Sequence, residues 1–251
     1  MVDPLVVSFK ECRQLRWAPP EDVGFAQDVA LVPLTMAELS AAACSMPMAF
    51  VKQNRSWRLV GVCGVEPGQN LFVRKGQWLG AYRPNWLQNW PFDFTVVRDK
   101  AFLVFDKASG TLVSEGGEPF FENEQTMGPA LEAIRQRMLP LARPMQLTGR
   151  AVHALAEAGV LVPWPKAVQE RVEGFSIPGL YMLDEKALAN LDDQAFLGLR
   201  SAGALALGYA VNLSLGQAHL LSRLQKLNPS ATSGEVADLE AFFEEDDNLS
   251  F

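Results

Sequence analysis

The chain has 251 residues, of which 49% are apolar and 20% are charged, a composition that excludes both a disulfide-stapled mini-protein and a globally disordered chain. Residues 228–251 contain seven Asp or Glu and no Lys or Arg, and removing those seven from the total of 29 leaves 22 acidic residues against 22 Lys and Arg. The body is therefore neutral, and no nucleic-acid partner is expected, because nucleic-acid binding requires clustered basic residues.

The N-terminal 30 residues predict an extended lead-in with one short strand, and they lack the basic and apolar regions of a secretory signal. The most apolar stretch, 202–215, spans only about 14 residues, whereas a membrane-spanning helix needs about 20. We therefore expect a cytoplasmic protein without transmembrane insertion. An odd number of cysteines without a CxxC pair (Cys12, Cys44 and Cys63) predicts reduced, buried thiols.

A capping box at Thr35 and Glu38 predicts a short helix that ends near Ser45, because Pro47 prevents its continuation. Residues 48–113 then predict an antiparallel meander of about six strands, with Pro84 opening a short helical turn. The strand pairs expected around its turns are 48–52 with 57–65, 71–73 with 77–81, and 92–97 with 101–105.

Helical periodicity dominates the second half of the chain. It predicts helices over 123–139 and over 148–158, the second capped by Thr148, with a small β element between residues 160 and 183. A long helix is expected over 193–227, where small residues recur at every fourth position from Ala202 to Ala218. This stripe fits either intramolecular core packing or the seam of a homo-oligomer.

These elements predict an α+β protein with an N-terminal antiparallel β-meander and a helical C-terminal half containing one long central helix. The expected divisions are a β-rich domain over 1–141, a mainly helical part over 142–227 that shares its core, and an acidic, disordered tail over 228–251.

No sequence motif identifies a reaction. The chain has two histidines, His153 and His219, in no metal-ligand spacing, and it lacks a nucleophile elbow, a P-loop and a dinucleotide fingerprint. We therefore assign no catalytic residue, no metal and no cofactor.

A run of aromatic residues is the first candidate binding feature. The run contains Trp78, Tyr82, Trp86, Trp90 and Phe92, with Arg83 among them, all within 15 positions. Tryptophan clustered with arginine is typical of binding hot spots, although it is equally typical of a β-rich core. The run is either core or the wall of a ligand-facing groove.

The acidic tail is the second candidate binding feature. Phe242, Phe243 and Phe251 lie among its acidic residues, a pattern typical of a docking segment that becomes ordered on a basic partner surface. The alternative is a tail that only increases solubility.

The chain resembles the SapC family of bacterial proteins, named for a surface-layer-associated protein and unrelated to the peptide-transporter permease of the same name. The motifs that carry the resemblance span roughly residues 28–225. They are 30–38 (ALVPLTMAE), 46–50 (MPMAF), 68–73 (GQNLFV), 78–84 (WLGAYRP), 90–92 (WPF), 156–161 (AEAGVL), 178–181 (PGLY), 183–185 (LDE) and the helix over 196–217.

The resemblance implies a bacterial protein linked to surface-layer or cell-envelope assembly, and it carries no catalytic residues. The leading hypothesis is a non-catalytic accessory protein that docks a protein partner through the aromatic run and the acidic tail. The alternative is an enzyme or small-ligand-binding protein with a site in the N-terminal domain. That alternative requires several polar side chains to converge in one pocket: Arg58, Arg74, Arg83, Asp93, Asp106 and Glu115.

Overall fold

The computed structural model describes residues 3–53, 56–97 and 100–227, so the tips of two predicted hairpin turns (54–55 and 98–99) and the tail over 228–251 lie outside it. The strands are β1 (Pro4–Val6), β2 (Arg16–Trp17), β3 (Leu31–Pro33), β4 (Met48–Gln53), β5 (Ser56–Val62), β6 (Val73–Arg74), β7 (Gln77–Trp78), β8 (Phe92–Val97), β9 (Lys100–Asp106), β10 (Leu112–Val113), β11 (Glu118–Pro119), β12 (Phe121–Asn123), β13 (Thr126–Met127), β14 (Leu161–Pro163) and β15 (Tyr181–Leu183). The α-helices are α1 (Phe9–Cys12), α2 (Leu39–Ala43), α3 (Asn85–Asn89), α4 (Pro129–Met138), α5 (Ala142–Glu157), α6 (Lys166–Gln169), α7 (Glu185–Ala189), α8 (Asp193–Ser201), α9 (Ala204–Ser214) and α10 (Ala218–Leu227).

The largest sheet has five antiparallel strands in the order β14-β15-β4-β5-β3. Its centre is the predicted hairpin of β4 and β5, in which Phe50 pairs with Leu59 and both side chains are buried. The pairing of Tyr181 with Phe50 adds two strands from the C-terminal half to this sheet. The predicted boundary near residue 141 stays a prediction.

The second sheet has three strands in the order β1-β9-β8. The predicted hairpin of β8 and β9 is confirmed, with Phe92 opposite Phe105. These two rings contact each other and Phe120 in a buried aromatic cluster that also includes Trp17. Burial of four large rings provides much of the apolar area that stabilises this part of the chain.

The expectation of one six-stranded meander is wrong. The hairpins form where they were predicted, but β5 and β8 belong to different sheets, because the intervening residues fold into the small β6–β7 hairpin and α3. The two sheets therefore meet without pairing, and this arrangement creates the site described below.

Two helix boundaries also differ from the expectation. The helix predicted from residue 123 begins at Pro129, because β12 and β13 form a hairpin just before it. The helix predicted from Thr148 begins earlier, at Ala142, so Thr148 lies inside α5 and does not cap it. Gly159 follows the end of this helix with a positive φ of 68°, a conformation that glycine adopts readily.

The single long helix predicted over residues 193–227 is also wrong, because it is broken near Gly203. Gly203 has a left-handed φ of 70°, and the helical segment Asp193–Ser201 is bent by 81° from Ala204–Leu227. A continuous helix would need a right-handed φ at this residue, whereas glycine allows the left-handed one at little steric cost. The predicted stripe of small residues is not buried along its whole length, since Ser214 and Ala218 are buried and Ala206 is exposed.

The α+β class is confirmed, with antiparallel sheets in the N-terminal half, a helical C-terminal half, and a long helical segment at 129–157. Among the described residues, no single helix is long and apolar enough to cross a membrane. The bent pair of α8 with Ala204–Leu227 meets the length and composition criteria only when its two arms are taken together.

Candidate functional site

A cleft of about 470 Å³ is lined by residues of both larger sheets, and we call it the β5–β8 cleft. The five-stranded sheet contributes residues 56–59, and the three-stranded sheet contributes residues 92–95. Helix α3 adds Asn85, Trp86 and Asn89, and α5 adds residues that include Met145 and Gly149. The walls are mainly apolar and aromatic, with a few polar groups among them.

The cleft faces the edges of β5 and β8. Neighbouring side chains of a strand point to opposite faces, so a cavity against one face would be lined by every second residue. Four consecutive residues of each strand line this one, as expected for a cavity that adjoins a strand edge. Among the described residues, β3 pairs with residues 60–62 of β5 and the Leu34 N–H reaches the Leu59 carbonyl, so the edge of β5 is open at residues 56–58. In the same part of the chain β8 pairs with β9 alone, so its other edge is unpaired.

Glu38 holds the walls of the cleft together. Its carboxylate is 3% exposed and accepts four hydrogen bonds. One oxygen accepts from the Thr35 N–H (2.9 Å) and the Thr35 hydroxyl (2.8 Å), and the other accepts from the Asn85 N–H (2.8 Å) and the Tyr82 hydroxyl (3.0 Å). Burial, reinforced by the charge of Glu38, raises the pKa of Tyr82, so its hydroxyl stays a donor.

Thr148 connects the same region to α5. Its hydroxyl accepts a hydrogen bond from the Met36 N–H (2.8 Å) and donates one to the Pro144 carbonyl (2.7 Å). The capping-box turn is thus bonded to both α3 and α5, two of the elements that line the cleft.

Asp93 and Arg58 are the charged groups that β8 and β5 bring to the cleft. Burial raises the pKa of the Asp93 carboxyl, while a hydrogen bond from the Phe94 N–H (2.7 Å) and the positive charge of Arg58 oppose the rise. Arg58 itself is exposed. The Lys52 ammonium lies 5.9 Å from the centroid of the Trp57 ring, which lines the cleft, although Lys52 itself does not line it.

The sequence profile of the SapC family matches residues 8–221, which is most of the chain. The chain belongs to the SapC family. No curated protein and no solved structure matches it significantly.

In this SapC-family chain, Phe92 of the predicted aromatic run is buried, and the other aromatic side chains of the run are half-buried. Trp78 stacks on Phe72 with ring centroids 5.1 Å apart, and its indole N–H donates to the Tyr82 carbonyl. Trp90 stacks on Phe25 at 4.0 Å. Trp86 lines the cleft. Arg83 is exposed and does not line it.

Two of the six polar residues that the alternative hypothesis requires, Arg58 and Asp93, line the cleft. Asp106 caps the 3₁₀ turn after β9 by accepting from the Ala108 N–H, and it also accepts from the Asp3 N–H. Arg74, Arg83, Asp106 and Glu115 lie outside the cleft lining. The predicted tail residues Phe242, Phe243 and Phe251 lie outside the described residues.

The cysteines of the SapC-family chain are free, and burial raises the pKa of the Cys12 and Cys63 thiols. Cys44 is exposed, so the expectation that all three are buried is wrong for this residue. In the part of the chain that the structure describes, no group of three or more His, Cys, Asp or Glu side chains has a metal-binding arrangement.

Sequence reasoning missed Glu38 and Trp57 as parts of the site. The capping box did identify Glu38, but only for its local contact with Thr35. The contacts of Glu38 with Tyr82 and Asn85 join residues more than 40 positions apart, and no local pattern encodes them.

Proposed function

We propose that this SapC-family protein is a non-catalytic binding protein and that its ligand occupies the β5–β8 cleft. The observation that carries the proposal is the cleft itself, whose volume of about 470 Å³ lies within the range of small-ligand sites. Its aromatic and apolar walls, interspersed with the charged residues Glu38, Arg58 and Asp93 and with neutral polar side chains, have the composition of such sites. Trp86 takes part in this function as a wall of the cleft.

The experiment that tests this proposal places a large side chain in the cleft by a substitution in α5. Gly149 in α5 lines the cleft, and no atom lies within 4 Å of the position that a Cβ would take there. Gly149→Phe should therefore project an aromatic ring into the cleft. Gly198→Phe is the matched control, because Gly198 is also an exposed glycine within a helix with open space around it, but it does not line the cleft.

The probe is anilinonaphthalene sulfonate, whose rings suit the apolar walls and whose sulfonate suits Arg58. Titration followed by dye fluorescence should show binding to the wild type that Gly149→Phe weakens about tenfold or more and Gly198→Phe leaves unchanged. Equal binding by all three proteins would place the dye elsewhere and refute the proposal.

The acidic tail supports a second binding role. Its seven acidic residues and its phenylalanines favour docking to a basic groove on a protein partner, in an envelope- or surface-layer-related pathway. A pull-down from bacterial lysate, with the full chain beside a 1–227 truncation, tests this role, and a partner retained by the truncation would contradict it. The surface-layer pathway, the cytoplasmic location and the homo-oligomer stay predictions.

A further inference from the structure

The edge of β8 is the least protected edge of the two larger sheets. Proteins protect sheet edges against further pairing with short strands, prolines and charges. Pro163 lies in β14, Pro33 lies in β3 and Pro4 lies in β1, so each of these three edge strands is short and contains a proline. Strand β8 has six residues and no proline, and its sequence, FDFTVV, favours an extended conformation.

The strand register shows which main-chain groups of β8 point away from β9. The Asp106 N–H donates to the Pro91 carbonyl at 3.0 Å, and alternate residues of an antiparallel strand bond to the same neighbour. Residues 91, 93 and 95 therefore point their main-chain groups at β9, while Phe92 and Phe94 point theirs away from it. Phe92 is only 1% exposed, so Phe94 is the accessible position of this edge. Over the described chain, the only partner recorded for these outward groups is the Asp93 carboxylate on the Phe94 N–H.

The opposite wall presents a second open edge. The Leu34 N–H donates to the Leu59 carbonyl at 3.1 Å, so residues 57 and 59 of β5 point their main-chain groups away from β4. The chain turns away at Thr35, so among the described residues Trp57 pairs with Lys52 of β4 and has no strand partner on its outward edge.

We propose that the ligand of the β5–β8 cleft is an extended segment of a partner protein that adds as a strand to the edge of β8. Strand addition uses main-chain hydrogen bonds for affinity and alternate side chains for specificity. Apolar side chains of the segment contact the aromatic walls, and an acidic side chain pairs with Arg58. Asp93 weakens strand addition at this edge, because its carboxylate already accepts the hydrogen bond of the Phe94 N–H that an added strand would use. The inference rests on the proposed function, since it names the ligand of the same cleft.

The probe is a library of acetylated, amidated octapeptides with β-branched or aromatic residues at alternate positions and Glu or Thr between them. Binding of the tightest member is measured by fluorescence anisotropy with the full chain. Asp93→Ala frees the Phe94 N–H and should tighten binding about fivefold, the equivalent of one hydrogen bond. Asp28→Ala, which removes an exposed carboxylate outside the cleft lining, should leave affinity unchanged.

Peptide N-methylation tests whether main-chain pairing is involved. A strand pairs with one edge through the N–H groups of alternate residues, so methylating one alternate set should weaken binding about tenfold or more, and methylating the other set should have little effect. Equal effects of the two sets, or weaker binding to Asp93→Ala, would overturn strand addition.

Two further outcomes would also overturn the inference. One is the absence of any library peptide that binds the wild type or Asp93→Ala. The other is peptide binding that appears only after Phe242 and Phe243 are replaced by Ala, because the occupant would then be the tail of this chain. If either outcome is observed but Gly149→Phe still weakens dye binding, the inference of strand addition is wrong and the proposed function of the cleft is retained.

Discussion

Replacing Glu38 by Gln tests whether its carboxylate holds the cleft together. The substitution keeps the side-chain volume, so it leaves no cavity, but it converts one of two accepting oxygens into a donating nitrogen. The Thr35 and Tyr82 hydroxyls can rotate to accept from the new N–H groups. The Thr35 and Asn85 main-chain N–H groups cannot, so one of them loses its partner in either orientation of the amide.

The magnitude follows from these bonds. An unpaired buried N–H costs about 1–3 kcal/mol, and the remaining bonds lose the extra strength of a charged acceptor. We therefore expect Glu38→Gln to reduce the free energy of unfolding by about 2–4 kcal/mol, a large fraction of the 5–15 kcal/mol typical of a folded domain.

Urea unfolding followed by circular dichroism measures this change, with the m-value checked for constancy. Glu122→Gln serves as the control, because Glu122 is exposed on β12 and should change stability by less than about 0.5 kcal/mol. Tyr82→Phe removes one donor, and its cost should be smaller in the Glu38→Gln background because the two side chains interact directly. A Glu38→Gln midpoint equal to that of the wild type would refute the role given to this carboxylate.

Three other predictions use the same unfolding or labelling assays. Burial raises the folded-state pKa of Asp93 above its unfolded value, so ionisation of Asp93 lowers the free energy of unfolding as the pH rises through the folded pKa. Asp93→Asn should therefore increase the free energy of unfolding at pH 7. An increase that persists below about pH 4 would contradict ionisation as the cause. Gly64→Ala should destabilise the protein by several times the ~1 kcal/mol of an average substitution, because its Cβ would clash with the Gln69 carbonyl, whereas Gly149→Ala should stabilise α5 by about 0.5–1 kcal/mol. In the native protein a thiol reagent should modify Cys44 alone, and rapid labelling of either buried cysteine would show that its burial is wrong.

Local signals explain which parts of the fold the sequence predicted. The β4–β5 and β8–β9 hairpins join strands next to each other in the chain, so turn residues and extended-chain propensity suffice to place them. The addition of β15 to β4 joins Tyr181 to Phe50, about 130 positions apart, and leaves no local signature. The single meander was therefore the wrong assembly of correctly predicted hairpins.

The prediction of one continuous helix through Gly203 was wrong for a different reason. The apolar and small residues continue in helical spacing on both sides of the break, because α8 and α9 both bury a face against the core. Periodicity indicates which residues face the core, and it does not reveal a bend between two helices that both contribute residues to the same core. The signal that remained was the glycine itself, one of the few residues that adopts the left-handed backbone found there.

The capping-box turn determines both walls of the cleft, although its sequence pattern indicates only a helix start. By turning the chain at Thr35, it ends the pairing of β3 with β5 after Pro33 and leaves the Trp57 main chain open. Through Glu38, it holds the first N–H of α3, the helix that leads into β8. The two carboxylates therefore act in different ways. Glu38 variants should lose stability and the cleft together, whereas replacing Asp93, whose carboxylate accepts from the Phe94 N–H of its own strand, should change binding without loss of the fold.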